Sequence, residues 1–221
     1  MSSQSLPRPR LCKLENSTDA RQTATEEVLA VEQKIKVIGI GGCGSKTVQH
    51  MLACSAQRVE YIFANDDVDE QSRCSNHKTI LLYRNRQSMK GPVDRCRISA
   101  ELADSGFRLA IEGADTLFIV IGMGGRTGTQ VAPEMARIAK SMGIFTIAAV
   151  TMPFEFEIGR KRYADIGLTE LHANVDALMM VSNDKLMEIL GDNATQNEVF
   201  TYGYDLVQIA IEGIIKNTLT Q

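Results

Sequence analysis

The stretch Phe118-Ile119-Val120-Ile121-Gly122-Met123-Gly124-Gly125-Arg126-Thr127-Gly128-Thr129-Gln130 limits the chain more than any other. An apolar, β-rich run feeds four glycines and two threonines, and a helical pattern follows from Ala132 to Met142. Glycines let an oxygen-rich ligand approach the backbone. Amides of such a loop, opening onto a helix N-terminus, form an anion site, with threonine hydroxyls as further donors. A plain strand-to-helix turn needs fewer glycines and no paired threonines. The chemistry indicated is phosphate binding.

A second cluster repeats the theme. Lys36-Val37-Ile38-Gly39-Ile40-Gly41-Gly42-Cys43-Gly44-Ser45 also runs from an apolar strand through glycines into a helical stretch, Thr47 to Ala53. Gly39, Gly41 and Gly44 fit the GxGxxG spacing of dinucleotide folds, a weak signal alone. The P-loop pattern is missed by one residue, because Ser45 separates Gly44 from Lys46. Two such loops in one short chain favour a nucleotide held between two strand ends.

Apolar runs at 35–40, 59–64, 79–83, 116–121, 144–150 and 177–181 predict strands. Helical patterns fall at 45–53, 93–111, 129–142, 167–173 and 198–216. Such alternation predicts an α/β fold, a doubly wound, mostly parallel sheet with helices on both faces. Ligands of such sheets bind beyond the carboxyl ends of the strands, where both glycine loops lie. Residues 1–33 are rich in Ser, Thr, Arg and Glu and read as a flexible tail. The remainder, 34–221, reads as one domain.

A formal net charge of −3 argues against a general nucleic-acid binder. No apolar stretch reaches the length of a membrane span, so direct membrane binding is not expected. Five cysteines, at 12, 43, 54, 74 and 96, lack CxxC spacing, which points to reduced thiols in a cytoplasmic protein and away from zinc.

The segment Gly122 to Thr129 resembles the signature of the tubulin superfamily in its FtsZ form. The likeness extends in order through Lys36–Met51, Ala64-Asn65-Asp66-Asp67, Val150–Glu157, Asn183-Asp184-Lys185-Leu186, and the spacing of Phe200, Asp205 and Gly213. It spans about Ile35 to Ile215. The resemblance implies a GTP- or GDP-binding domain. Gly41, Gly42, Cys43 and Gly44 would lie against the α- and β-phosphates, and Gly124, Gly125, Arg126, Thr127, Gly128 and Thr129 would wrap the phosphate tail. Asn65 and Asp67 would line the phosphate side, where a carboxylate orients Mg2+ through water. Glu157 would take the ribose hydroxyls. One arginine would neutralise phosphate charge, Arg160 or Arg162 according to the direction of alignment, with Arg160 preferred. Asn183, Phe200 and Asp205 would read the base. A carboxylate at Asp205 can accept from both N1–H and the exocyclic amine of guanine, a donor pair adenine lacks.

Departures from the family pattern matter as well. Lys46 stands where the family has asparagine, while Arg126 and Gln130 replace glycines. The segment Leu82–Pro92 is short and basic in place of a glycine-rich one. The family's second domain has no counterpart before Gln221, nor has the acidic loop that a neighbouring subunit inserts to activate water. The expected role is therefore assembly with, or capping of, a full-length FtsZ-like partner, or self-assembly. An autonomous GTPase using Asp66, Asp69 or a partner's acid is the second reading. An inactive remnant is the third, with Leu206, Ile209, Ile211, Ile214 and Ile215 exposed on the last helix. A Rossmann oxidoreductase, with Asp66 or Asp67 on a ribose, is the outside alternative.

Overall fold

The computed structural model describes residues 33–52, 59–66, 77–82, 100–191 and 193–219. The expected tail up to residue 32, the basic stretch from Tyr83 to Pro92, and Asp67 and Asp69 lie outside them. Six strands form one sheet: β1 Ile35–Ile40, β2 Val59–Asn65, β3 Lys78–Leu81, β4 Thr116–Gly122, β5 Phe145–Met152 and β6 Ala177–Ser182. Their spatial order is β3-β2-β1-β4-β5-β6, and every neighbouring pair is parallel. The chain winds outward from β1 to β3, then returns to lay β4 on the other side of β1. That reversal opens a crevice beyond the carboxyl ends of β1 and β4.

The strands explain the layers. All six residues of β1 are buried, as a strand covered on both faces requires. Ile38 and Ile40 of β1, with Ile119 and Ile121 of β4, join one apolar cluster, whereas Val37, Phe118 and Val120 join another. The first cluster packs on helices α2 (Ala100–Ile111), α3 (Arg126–Ser141) and α4 (Ile158–His172), through Phe107, Met135, Ile138 and Leu171. The second packs on α1 (Gly41–Leu52) and α6 (Gln196–Leu219), through Val48, Met51, Val207 and Ile211. Each fully buried Ile or Phe contributes about 1.5–3 kcal/mol over an exposed one. Lys36 stays buried on β1 because its ammonium donates to the Ala110 carbonyl at 3.0 Å and meets Glu60, its cross-strand partner, at 2.9 Å.

Three differences from the sequence reading have physical causes. Helix α4 begins at Ile158 rather than Gly167, because its first turns are polar and exposed, and only Ala164, Gly167 and Leu171 are buried. Helix α5 (Asn183–Leu190) was not expected, since it is only 8 residues long and buries only Asn183 and Leu186. The apolar side of the last helix is not an exposed patch. Ile211 and Ile215 are 0% and 5% exposed against the sheet, Leu206 and Ile214 are partly covered, and of the five residues named Ile209 alone is exposed.

Candidate functional site

Both glycine loops empty into the crevice between β1 and β4. Gly41, at the end of β1, takes φ +70°, and a Cβ there would lie 3.3 Å from the Gly128 amide nitrogen and 3.4 Å from the Thr127 Cβ. The two loops therefore meet backbone to backbone. Helices α1 and α3 both start at this junction, so the unpaired amides of two helix N-termini converge there. Gly39 and Gly44 have a different job. A Cβ on Gly44 would stand 2.2 Å from the Val120 carbonyl oxygen, and one on Gly39 would stand 2.6 Å from the Gly44 carbonyl oxygen. These two glycines let α1 lie directly on the sheet, and their lack of a side chain is explained by packing. Gly124 (φ +81°) is closed in by the Arg160 carbonyl oxygen, which would stand 2.8 Å from a Cβ at that position.

The threonines of the signature tie the loops together. Thr129 is 2% exposed, and its hydroxyl oxygen accepts the Gly124 N–H at 2.9 Å. Thr127 donates its hydroxyl to Asp66 Oδ1 at 2.8 Å, linking the α3 start to the end of β2. Buried Asn65 accepts the Asp66 N–H at 2.8 Å through its side-chain oxygen, which shapes that turn. Gly167 on α4 approaches Thr129 so closely that a Cβ would fall 2.3 Å from its methyl group.

A cavity of about 260 Å3 opens beside this junction. Gly42, Cys43 and Lys46 of α1 form one wall, and Gly122 with Met123 the end of β4. Thr151, Met152 and Pro153 continue it at the end of β5, with Glu157 and Arg160 at the start of α4. Asn183, Phe200, Gly203 and Tyr204 close the far side. Of the residues anticipated from sequence, Gly42, Cys43, Glu157, Arg160, Asn183 and Phe200 thus share one cavity. Arg160 lines it and Arg162 does not. Glu157 caps the helix that Arg160 enters, so the two are three residues apart on one face. The Glu157 carboxylate takes the Arg160 guanidinium at 2.5 Å through Oε1 and the Phe154 N–H at 3.1 Å through Oε2.

Other anticipated residues stand elsewhere. Arg126 is the first residue of α3 and exposed, outside the cavity lining. Asp205 is also outside it, its Oδ1 2.7 Å from Nε2 of His50 on α1. Asp67 lies outside the described residues. Among the described residues no group of three or more His, Cys, Asp or Glu could hold a metal, so the magnesium expectation gains no ligand set from them.

Aromatic side chains build the far end. Phe154 and Phe200 tilt against each other with ring centroids 6.1 Å apart, and Phe156 stacks on Phe154 at 4.9 Å. Sequence reasoning missed Tyr204 and Thr151. The signals were present: Tyr204 stands one helical turn beyond Phe200, and Thr151, next to last in β5, lies directly opposite Gly122 of β4. Burial pushes the Tyr204 hydroxyl up to about 12, with the charge of a Cys43 thiolate adding to it. Burial likewise pushes the Cys43 thiol up, against the opposing pull of its Thr151 contact (3.4 Å), Lys46 and Arg160. Cys43 is thus a small wall residue holding its proton at neutral pH, not an activated nucleophile.

Among the described residues no helix is long and apolar enough to cross a membrane. Residues 34–191 match the family model for the tubulin/FtsZ family, GTPase domain. The chain is 43% identical over 185 residues to the cell division protein FtsZ of Neisseria gonorrhoeae, covering 81% of this chain and 47% of that one. It is 37% identical over 188 residues to cell division protein FtsZ 1 of Thermococcus kodakarensis, covering 83% and 50%. An empty FtsZ dimer structure from M. jannaschii superposes with a TM-score of 0.72 at 31% identity, over 83% of this chain and 55% of that chain. The chain spans about half the length of the relatives it matches.

Proposed function

The chain belongs to the tubulin/FtsZ family, and from that membership we propose that it binds GTP or GDP and works by assembling with FtsZ-type subunits. The observation that carries this reading is the junction of two glycine loops and two helix N-termini beside a cavity lined by both cations and aromatic rings. The amides of Gly42 and Cys43, with those of the Gly124–Thr129 turn, receive the phosphates. Arg160, already on the wall, neutralises their charge. Glu157 accepts the ribose hydroxyls, and Asn183 and Phe200 hold the base. Asp205 reads guanine after rotating away from His50, a move open to a side chain that is 37% exposed.

Hydrolysis needs a carboxylate free to orient water. Glu157, among the described residues the one carboxylate on the cavity wall, is engaged by Arg160 and Phe154. Asp66 accepts the Thr127 hydroxyl. On the proposed reading the acid is supplied by a second chain, as the family resemblance implies, and turnover belongs to an assembly of subunits, with cell division as the process served. Calorimetric titration of the purified chain with GDP and a non-hydrolysable GTP analogue, with ATP as control, tests the first part. Guanine-selective binding is expected, and no binding of either guanine nucleotide defeats the reading. Sedimentation of a full-length FtsZ in the presence of this chain tests the second: substoichiometric chain lowers the polymer mass, and unchanged sedimentation at equimolar chain removes the assembly role.

A further inference from the structure

We propose that Lys46 is a phosphate-binding cation of this cavity, one that grips the oligophosphate tail of the nucleotide rather than its base or sugar. The inference rests on the nucleotide reading above and assigns a contact that the glycine loops do not supply.

Position comes first. Gly42, Cys43 and Lys46 all line the cavity, and their spacing of three and four residues puts them on one face of α1. Lys46 thus stands one turn into the helix whose N-terminal amides open at the loop junction. Arg160 faces the same space from the start of α4.

Charge balance is the second observation. Among the described residues the cavity wall carries two cations, Lys46 and Arg160, and one carboxylate, Glu157. Glu157 is bound to Arg160. Among the described residues Lys46 forms no hydrogen bond and no ion pair, whereas Lys36, Lys78 and Lys161 are each held by a carboxylate. The wall therefore carries an ammonium whose charge no described side chain offsets, next to two helix N-termini that also favour anions. Both cations act on the Cys43 thiol, which places their fields at the same part of the cavity.

The ammonium suits this task. It is a compact point charge on a flexible stem with three donors, and it can follow a phosphate chain without the fixed fork geometry of arginine. A simple solvated lysine is the competing explanation. The two differ in one respect: a phosphate contact strengthens with the number of phosphates, and a solvated lysine contributes equally little to every ligand.

The test is a calorimetric ladder on the full chain with guanosine, GMP, GDP, a non-hydrolysable GTP analogue and inorganic tripolyphosphate, for wild type, Lys46→Gln and Lys46→Arg. Because Lys46 is exposed, the variants should melt at the wild-type temperature, which confirms that they fold. Lys46→Gln is expected to lose about tenfold or more in affinity for GDP, the GTP analogue and tripolyphosphate, the scale of one charge-assisted hydrogen bond. Its affinity for guanosine stays as in wild type, and Lys46→Arg recovers most of the loss. Equal losses for guanosine and GDP, or no loss for any ligand, overturn the assignment. Lys46-dependent tripolyphosphate binding without guanine preference keeps the phosphate assignment and removes the guanine reading. Absence of binding to every ligand by wild type removes both.

Discussion

The two ends of the cavity are built from different materials. At the loop junction the parts are backbone: Gly39, Gly44, Gly122 and Gly128 sit where a Cβ would come within 3.0 Å of neighbouring atoms, mostly backbone. At the far end the parts are side chains, with Asn183, Phe200 and Tyr204 on α5 and α6 and Asp205 turned toward His50. Backbone placed by packing cannot move without moving the sheet. Side chains on a half-covered helix can rotate. On the nucleotide reading proposed above, the end that would receive phosphate is pre-set, and the end that would hold the base adjusts to its ligand.

Substitutions that damage one end and spare the other would sharpen that contrast. The largest effect is expected from Gly44→Ala. A methyl group 2.2 Å from the Val120 carbonyl oxygen forces α1 off the sheet, at about 3 kcal/mol or more, the upper range for overpacking. A thermal melt should fall steeply, and binding of both tripolyphosphate and nucleotide should fall with it. An unchanged melting temperature would mean that the phosphate end is softer than its packing suggests.

Phe200→Ala comes next and acts only on the far end. Base stacking on an aromatic ring contributes about 1–3 kcal/mol, so GDP affinity should drop by roughly one to two orders of magnitude while tripolyphosphate affinity holds. Equal losses for both ligands would break the division between ends. Asp205→Asn should then reduce the preference for GDP over ADP by about tenfold, the worth of a hydrogen bond to a charged group. Competition binding measures it. If His50 holds Asp205 so firmly that it never meets the base, the ratio will not change.

The smallest effect is a pH dependence at the far end. Tyr204 in the folded chain is raised to about 12 by burial, from an ordinary value near 10. A group raised on folding gives stability that is complete below its unfolded value and lost as pH climbs through the folded one. Between about pH 10 and 12 the melting temperature should fall, and Tyr204→Phe should make that fall shallower. An identical slope in the variant would place the titration elsewhere.

How far the sequence could be read follows the same division. The strand runs stood out because strands covered on both faces must be continuously apolar, and the boundaries of β1 match those anticipated. The glycine loops stood out because only glycine tolerates such contacts. The sequence preferred Arg160 over Arg162, although the direction of alignment changed the answer. The start of α4 at Ile158 separates them by putting Glu157 and Arg160 on one face. The pairing of His50 with Asp205 was invisible, because 155 residues separate them and neither belongs to a local pattern.

By itself the sequence determined the parallel α/β architecture, the two loops and the family, because these depend on local backbone demands that each segment states independently. Tertiary structure alone decided which polar side chains meet. It brought Lys46 to the same cavity wall as Arg160, joined Thr127 to Asp66, and turned Asp205 toward His50. Such contacts lie between elements, and their geometry exists only once the helices have been packed onto the sheet.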